Sequence, residues 1–139
     1  MRKYKIKHCF FRTVREVCEE FNARKFNARS CCGNVIGSCN ETVWCPTIGH
    51  EAWSNMIYND GNVIKEYCIK GGDSRRRHVE KMINENSNEV RITFVKKQGE
   101  RNYSFIGVYT LDLAETKKSL NTDSPACFWS RQPQLYDME

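Results

Sequence analysis

The chain has 139 residues, of which 40% are hydrophobic and 28% are charged, and its formal net charge is +5. This composition excludes a disordered polypeptide and predicts a single domain over residues 1–139, long enough to bury a core without disulfides or metals. The sequence has no apolar run of about 18 residues and no apolar start of signal-peptide length. We therefore expect a cytoplasmic protein that does not contact a membrane.

The N-terminal region predicts a strand followed by a helix. Residues 3–11 alternate basic and apolar side chains, which is typical of a strand. Thr13 and Glu16 form a capping-box pattern, in which each side chain satisfies a backbone N–H at a helix start. Apolar residues then follow at helical spacing, so a core-packing helix is predicted over residues 14–24.

The middle of the chain contains weaker signals. Residues 27–62 are rich in glycine, asparagine and cysteine, and only short apolar pieces could be strands. The sequence Asn-Asp-Gly-Asn at residues 59–62 favours positive φ and predicts a tight turn before a strand over residues 63–69. Asp73 or Ser74 is predicted to cap a second helix that runs to about Asn84.

The last third predicts a β-hairpin, a short helix and a final strand. Apolar and polar residues alternate over 90–97 and again over 103–113, on either side of a polar turn, so these segments are expected to pair antiparallel. A capping-box pattern then opens a helix near 114–120, and residues 126–130 resemble a last strand. The predicted fold class is α+β, with a small, curved, mostly antiparallel sheet and two or three helices packed on it.

Gly107 interrupts the most apolar strand of the chain. It lies between Phe105 and Tyr109 on one face of the predicted strand, where it leaves a gap. A glycine inside a strand usually marks a bulge, a bend or a place where another group comes close. Two interpretations therefore stay open, a bend in a curved sheet and a contact with a ligand.

The hairpin pattern resembles a known class of domain. A strand with a basic end at residues 90–97, the motif Phe-x-Gly-Val-Tyr-x-Leu within 103–113 and a tryptophan strand at 127–131 resemble the C-terminal half of PUA-like β-barrel domains. The preceding stretch HEAWSNMIYNDGNVIKE is similar to sequence found ahead of such barrels in bacterial and phage proteins. The resemblance implies a curved sheet that could close into a small barrel.

The resemblance also implies a pocket in which a base stacks on aromatic side chains. Such stacking contributes about 1–3 kcal/mol per base and tolerates any base. The residues expected to form this ligand-binding pocket are Trp53, Tyr109, Trp129 and Gly107.

Basic residues cluster at three places, and such clusters suit an anionic partner. One lies within residues 1–7, and the two expected to bind anions are Arg75, Arg76 and Arg77, and Lys96, Lys97 and Arg101. Three arginines at a predicted helix start oppose the helix dipole, which disfavours cations there by about 0.3–1 kcal/mol each. Replacing all three by glutamine is therefore expected to raise stability slightly and to weaken partner binding. The alternative is a solvated helix start without a ligand.

The eight cysteines are expected to be reduced and mostly buried. The segment that contains Cys31, Cys39, Cys45 and His50 offers weak candidates for a zinc site. Structural zinc sites use close cysteine pairs separated by two to four residues, and this spacing is absent here. We therefore expect no bound metal and no other cofactor.

The sequence favours a non-catalytic binding module that recognises nucleic acid or a nucleotide through basic clusters and an aromatic pocket. The alternative is a small inhibitor or adaptor protein, of phage or mobile-element type, that binds an acidic protein surface. A third hypothesis is a small cysteine- or metal-dependent enzyme. The metalloprotease, phosphate-loop and nucleophile-elbow motifs are absent from the sequence, so an enzyme is the less favoured class.

Overall fold

The computed structural model describes residues 3–25, 31–46, 48, 53–68, 72–97 and 99–139. The chain divides into two compact units. The first unit comprises residues 1–47, 90–109 and 132–139, and the second comprises residues 48–89 and 110–131. The prediction that the whole chain is a single domain stays a prediction.

The described elements are three α-helices and a set of short strands, which confirms the α+β class. The helices are α1 (Val14–Glu20), α2 (Gly72–Glu85) and α3 (Leu113–Ser119). The strands are β1 (Tyr4–Ile6), β2 (Phe10–Phe11), β3 (Ala23–Lys25), β4 (Cys32–Val35), β5 (Glu41–Trp44), β6 (Trp53–Tyr58), β7 (Val63–Cys68), β8 (Val90–Val95), β9 (Tyr103–Leu111), β10 (Cys127–Arg131) and β11 (Tyr136–Met138). No helix in the described part of the chain is long and apolar enough to cross a membrane.

The first unit contains a sheet in the order β3-β4-β5-β8-β9, and β2 also pairs with β9. Strands β3, β4 and β5 are antiparallel neighbours, whereas β5 and β8 run parallel. Strands β1 and β11 form a separate parallel pair. The predicted hairpin segments therefore lie side by side as β8 and β9, each two residues shorter than predicted.

The core of the first unit is centred on the fully buried Phe94 of β8. Its ring packs against Phe11 at 5.6 Å, Phe21 at 5.9 Å and Phe105 at 5.3 Å between ring centroids. Phe105 in turn meets Tyr136 edge to face at 5.1 Å. Aromatic pairs prefer such tilted geometries, which contribute about 0.5–1.5 kcal/mol beyond area burial.

Helix α1 begins where the capping box predicts and ends earlier than predicted. The Thr13 side chain accepts a hydrogen bond from the backbone N–H of Glu16 at 3.1 Å. Asn22 then adopts a left-handed φ of 52°, and β3 begins at the next residue. A left-handed residue stops helix propagation, so the helix covers Val14–Glu20 and not residues 14–24.

The second unit contains antiparallel strands in the order β10-β7-β6, together with α2 and α3. Strands β6 and β7 are joined through Asn59, Asp60 and Gly61, which all have positive φ, so the predicted tight turn is confirmed. The Asp112 side chain caps α3 by accepting a hydrogen bond from the Glu115 N–H at 3.1 Å. In the described part of the chain, neither unit's strand order closes into a barrel.

Candidate nucleic-acid interface

The structure places the predicted pocket aromatics on three strands. Tyr109 lies on β9 in the first unit and Trp129 lies on β10 in the second unit, and both side chains are fully buried. The Trp129 indole N–H donates a hydrogen bond to a Glu66 carboxylate oxygen at 3.3 Å. The backbone of Trp53 belongs to β6, and its side chain lies outside the described part of the structure. A base-stacking role for these three residues stays a prediction.

Gly107 is buried in the middle of β9 with a backbone φ of 148°. Residues with a Cβ atom rarely adopt this backbone φ, so glycine is required here for its conformational freedom. The backbone conformation supports the interpretation of a bent strand. A contact with a ligand stays a prediction.

A cavity of about 450 Å³ lies in the first unit, and we call it the lysine groove. Its lining includes the basic residues Lys3, Lys5, Lys7 and His8, together with Glu20 and Phe21. Ligand sites typically have volumes of about 300–1,000 Å³, so this groove has room for a nucleotide-sized group.

Strand β1 explains why the lysines share the groove. Tyr4 and Ile6 are buried in the core, whereas Lys5 between them and Lys3 and Lys7 on either side are exposed, as the alternation of a strand predicts. Lys3 forms an ion pair with Asp137 at 3.2 Å, and both side chains are more than half exposed. Such an exposed pair contributes little to stability, so it does not prevent Lys3 from contacting another anion.

The arginine cluster is used partly to hold the second unit together. The sequence predicted that all three arginines lie at the helix start. Helix α2 begins at Gly72, so Arg76 and Arg77 lie in its second turn instead. One Arg76 nitrogen donates to the Leu120 carbonyl at 2.7 Å, and another reaches the Thr122 carbonyl at 3.4 Å. Arg76 therefore supplies donors and a positive charge to the C-terminal end of α3, where both are favourable.

The other two arginines make longer contacts. Arg75 reaches the Ser124 hydroxyl at 3.4 Å, and Arg77 reaches the Ser74 hydroxyl at 3.5 Å. The Arg77 side chain is exposed and Arg75 is half-buried. Anion binding by this cluster stays a prediction, and Arg77 is its most accessible member.

The third basic cluster lies in the first unit around the connection between β8 and β9. The Lys96 ammonium lies 5.6 Å from the centre of the Tyr103 ring, a cation–π contact. Lys97 and Arg101 are exposed. These three residues therefore present positive charge at one end of the first unit's sheet, and their role in anion binding stays a prediction.

The cysteines whose side chains the structure describes form no disulfide with one another. Cys45 is buried, Cys31 is half-buried and Cys39 is exposed, while His50 lies outside the described residues. Burial raises the pKa of the Cys45 thiol well above its ordinary value, and neighbouring cysteines raise it further. A protonated buried thiol is a poor nucleophile.

Sequence reasoning missed two sets of residues in the described structure. His8 and Phe21 line the lysine groove, whereas the sequence indicated only the basic charge of residues 1–7. The metal-type group whose ligand atoms come together is Glu66, His78 and Cys127, which are far apart in sequence. Alternating lysines were a usable signal for the groove, whereas nothing local indicates the second group.

Comparisons with known proteins address the fold directly. No curated protein matches the sequence. Among solved structures, the 5-hydroxymethylcytosine-specific restriction enzyme AbaSI is similar, with a TM-score of 0.63 and 21% sequence identity. The similarity covers 94% of this chain and 41% of that chain, so the present chain spans less than half of AbaSI. At this identity the likeness shows a shared fold.

The sequence also matches a family of domains. Residues 5–123 match the family described as SRA, the SET and RING associated domain. This family has a PUA-like fold, so the resemblance inferred from the hairpin pattern is confirmed at that coarse level. Because the match spans most of the 139 residues, the chain belongs to the SRA (SET and RING associated) domain family.

Proposed function

We propose that the protein is a DNA-binding module that recognises a cytosine modified at its 5-position. The observation that supports this most strongly is the SRA family match over residues 5–123. The similarity to a restriction enzyme named for 5-hydroxymethylcytosine agrees with it. A fold alone does not determine a substrate, so the chain's own residues must account for the contacts with DNA.

The lysine groove is the surface that we assign to the DNA backbone. Lys5 lies on β1, Lys3 and Lys7 flank this strand, and His8 follows them at the same cavity. Phosphate contacts from lysine and arginine provide most of the sequence-independent affinity for DNA, through the release of bound counterions. Lys97 and Arg101 are exposed in the same unit and add to its positive charge.

We assign contact with the modified base to Trp53, one of the three aromatic residues singled out in the sequence. Tyr109 and Trp129 are fully buried, so a base could stack on either ring only if neighbouring side chains moved. Trp53 is the third member and the most informative to replace. Loss of stacking should weaken binding by about 1–3 kcal/mol in Trp53→Ala, whereas Trp53→Phe should keep most of the affinity because it keeps a ring.

A competition experiment tests the proposed specificity. Duplexes of one sequence, which carry cytosine, 5-methylcytosine or 5-hydroxymethylcytosine at a single central position, compete for the protein against a labelled duplex. A modified duplex should bind tighter than the unmodified one by about tenfold, which corresponds to about 1.4 kcal/mol. Equal dissociation constants for all three duplexes would contradict recognition of the modification and leave a general DNA-binding module.

A further inference from the structure

A row of polar and thiol side chains crosses the sheet of the second unit. Glu66 on β7 lies directly opposite Asn55 on β6 and directly opposite Cys127 on β10. Residues opposite each other in neighbouring strands project from the same face of a sheet, so all three share one face. Their exposed fractions are 8% for Glu66, 8% for Asn55 and 0% for Cys127.

Helix α2 brings a fourth group to this row. The His78 Nε2 atom lies 3.7 Å from a Glu66 carboxylate oxygen. One ligand atom each from Glu66, His78 and Cys127 all lie within 4.8 Å of one another. Three elements distant in sequence therefore place a carboxylate, an imidazole and a thiol around one point.

A carboxylate at this depth needs compensation for the water that it loses. The energetic cost of burying an ionised carboxylate is several kcal/mol unless a positive group and hydrogen bonds offset it. The Trp129 indole N–H donates one hydrogen bond at 3.3 Å, which also fixes the orientation of the carboxylate. A divalent cation bound between the three groups would be one such positive group.

We propose that Glu66, His78 and Cys127 bind one divalent cation of the zinc class. A thiolate, an imidazole and a carboxylate are the ligands that zinc accepts, whereas magnesium and calcium require oxygen ligands. This set differs from the cysteine-rich segment that the sequence offered, and it joins β7, α2 and β10.

The geometry fits zinc after a small contraction. Zinc–ligand distances of about 2.0–2.3 Å place tetrahedral ligand atoms about 3.5 Å apart, so the side chains would close by about 1 Å around the ion. The His78 side chain is 26% exposed, so the residue that would complete the site lies near the surface of the second unit. The Trp129 hydrogen bond is the kind of outer contact that orients a metal-bound carboxylate.

Cobalt titration of the chelator-treated protein tests this site. Cobalt(II) occupies zinc sites, and a thiolate ligand produces a charge-transfer absorption band in the near ultraviolet. We expect the band to saturate at one cobalt per chain and to disappear on addition of one equivalent of zinc. The midpoint of thermal unfolding should rise when zinc is added, because the ion binds the folded chain.

Variants separate this site from the other thiols and histidines. His78→Ala is placed in a helix, where alanine is well tolerated, and Cys127→Ser removes the thiolate. Both should abolish the stoichiometric band and the zinc-dependent rise in the midpoint, while Cys39→Ser and His8→Ala should retain them. A band that survives His78→Ala, or a wild-type protein with no band and no zinc-dependent midpoint, would overturn the proposal.

Discussion

Gly107 lies in the interior of β9 with a backbone φ of 148°, a value that residues with a Cβ atom rarely adopt. The interruption of an apolar strand made this residue conspicuous in the sequence. Its dihedral angle could not be predicted, because it depends on how the strand is paired and bent. The glycine therefore has a conformational role, whatever the strand contacts.

Substitution of Gly107 should lower stability whether or not a ligand binds nearby. Gly107→Ala should lower the free energy of unfolding by about 1–3 kcal/mol, because any Cβ forces strain at this φ, and Gly107→Val should lower it at least as much. Urea unfolding measures both variants. If Gly107→Ala leaves the free energy of unfolding unchanged while Gly107→Val lowers it, the conformational explanation is contradicted. That result would indicate instead that the site needs space between Phe105 and Tyr109.

The buried thiol of Cys45 should make the free energy of unfolding fall as the pH becomes alkaline. Burial raises its pKa above the ordinary value of 9.0, so the folded chain retains a proton that the unfolded chain loses. This contribution is fully present below the unfolded pKa and is lost as pH rises, by about 1.4 kcal/mol per pH unit. Unfolding free energies from about pH 8 to about pH 10.5 should fall less steeply in Cys45→Ala than in the wild type. Cys39→Ala, at an exposed position, should keep the wild-type slope, and equal slopes in all three proteins would refute this.

At the scale of elements, the capping patterns predicted the starts of α1 and α3, whereas the end of α1 and the start of α2 differ from the prediction. The Thr13 and Asp112 caps occur where the sequence placed them, because a capping box involves residues only three positions apart. The end of α1 depends on Asn22, whose left-handed conformation has no distinctive signal in the sequence. Because α2 begins at Gly72, two of the three arginines lie beyond its first turn, where the sequence had placed them.

Arg76 should stabilise the second unit, which reverses the sign expected from the sequence. Arg76→Gln removes a charged donor from the Leu120 carbonyl and should lower the free energy of unfolding by about 1–3 kcal/mol. Arg77→Gln, at an exposed neighbouring position, is the matched control and should change stability by less than about 0.5 kcal/mol. Thermal unfolding that places Arg76→Gln at or above the wild type would show that the carbonyl contact is not stabilising.

At the scale of the whole molecule, periodicity predicted the fold class but not the topology. Alternating patterns identified β8 and β9, because both strands are long and strongly periodic. The parallel pairing of β5 with β8 joins segments more than forty residues apart, and such long-range pairing leaves no local signal. The metal-type group of Glu66, His78 and Cys127 was missed for the same reason.

Membership in the SRA family agrees with the function class inferred from charge and aromatic residues. It is consistent with nucleic-acid recognition, while binding to DNA, the modified base and the residues that contact it are proposals. The basic clusters were visible in the sequence because charge is a property of composition. Only the fold shows that some of these residues line the lysine groove, whereas Arg76 contacts the Leu120 carbonyl.

The central claim, that this chain binds DNA through the lysine groove, is tested most directly by the salt dependence of the dissociation constant for one duplex. The wild-type affinity should fall steeply with salt, and Lys5→Gln/Lys7→Gln should reduce the slope by about 1.8, at about 0.9 per lost phosphate contact. Lys81→Gln/Lys117→Gln removes the same charge from exposed positions of α2 and α3 and should keep the wild-type slope. A wild-type dissociation constant that does not change with salt, or a groove variant with wild-type affinity and slope, would contradict the claim.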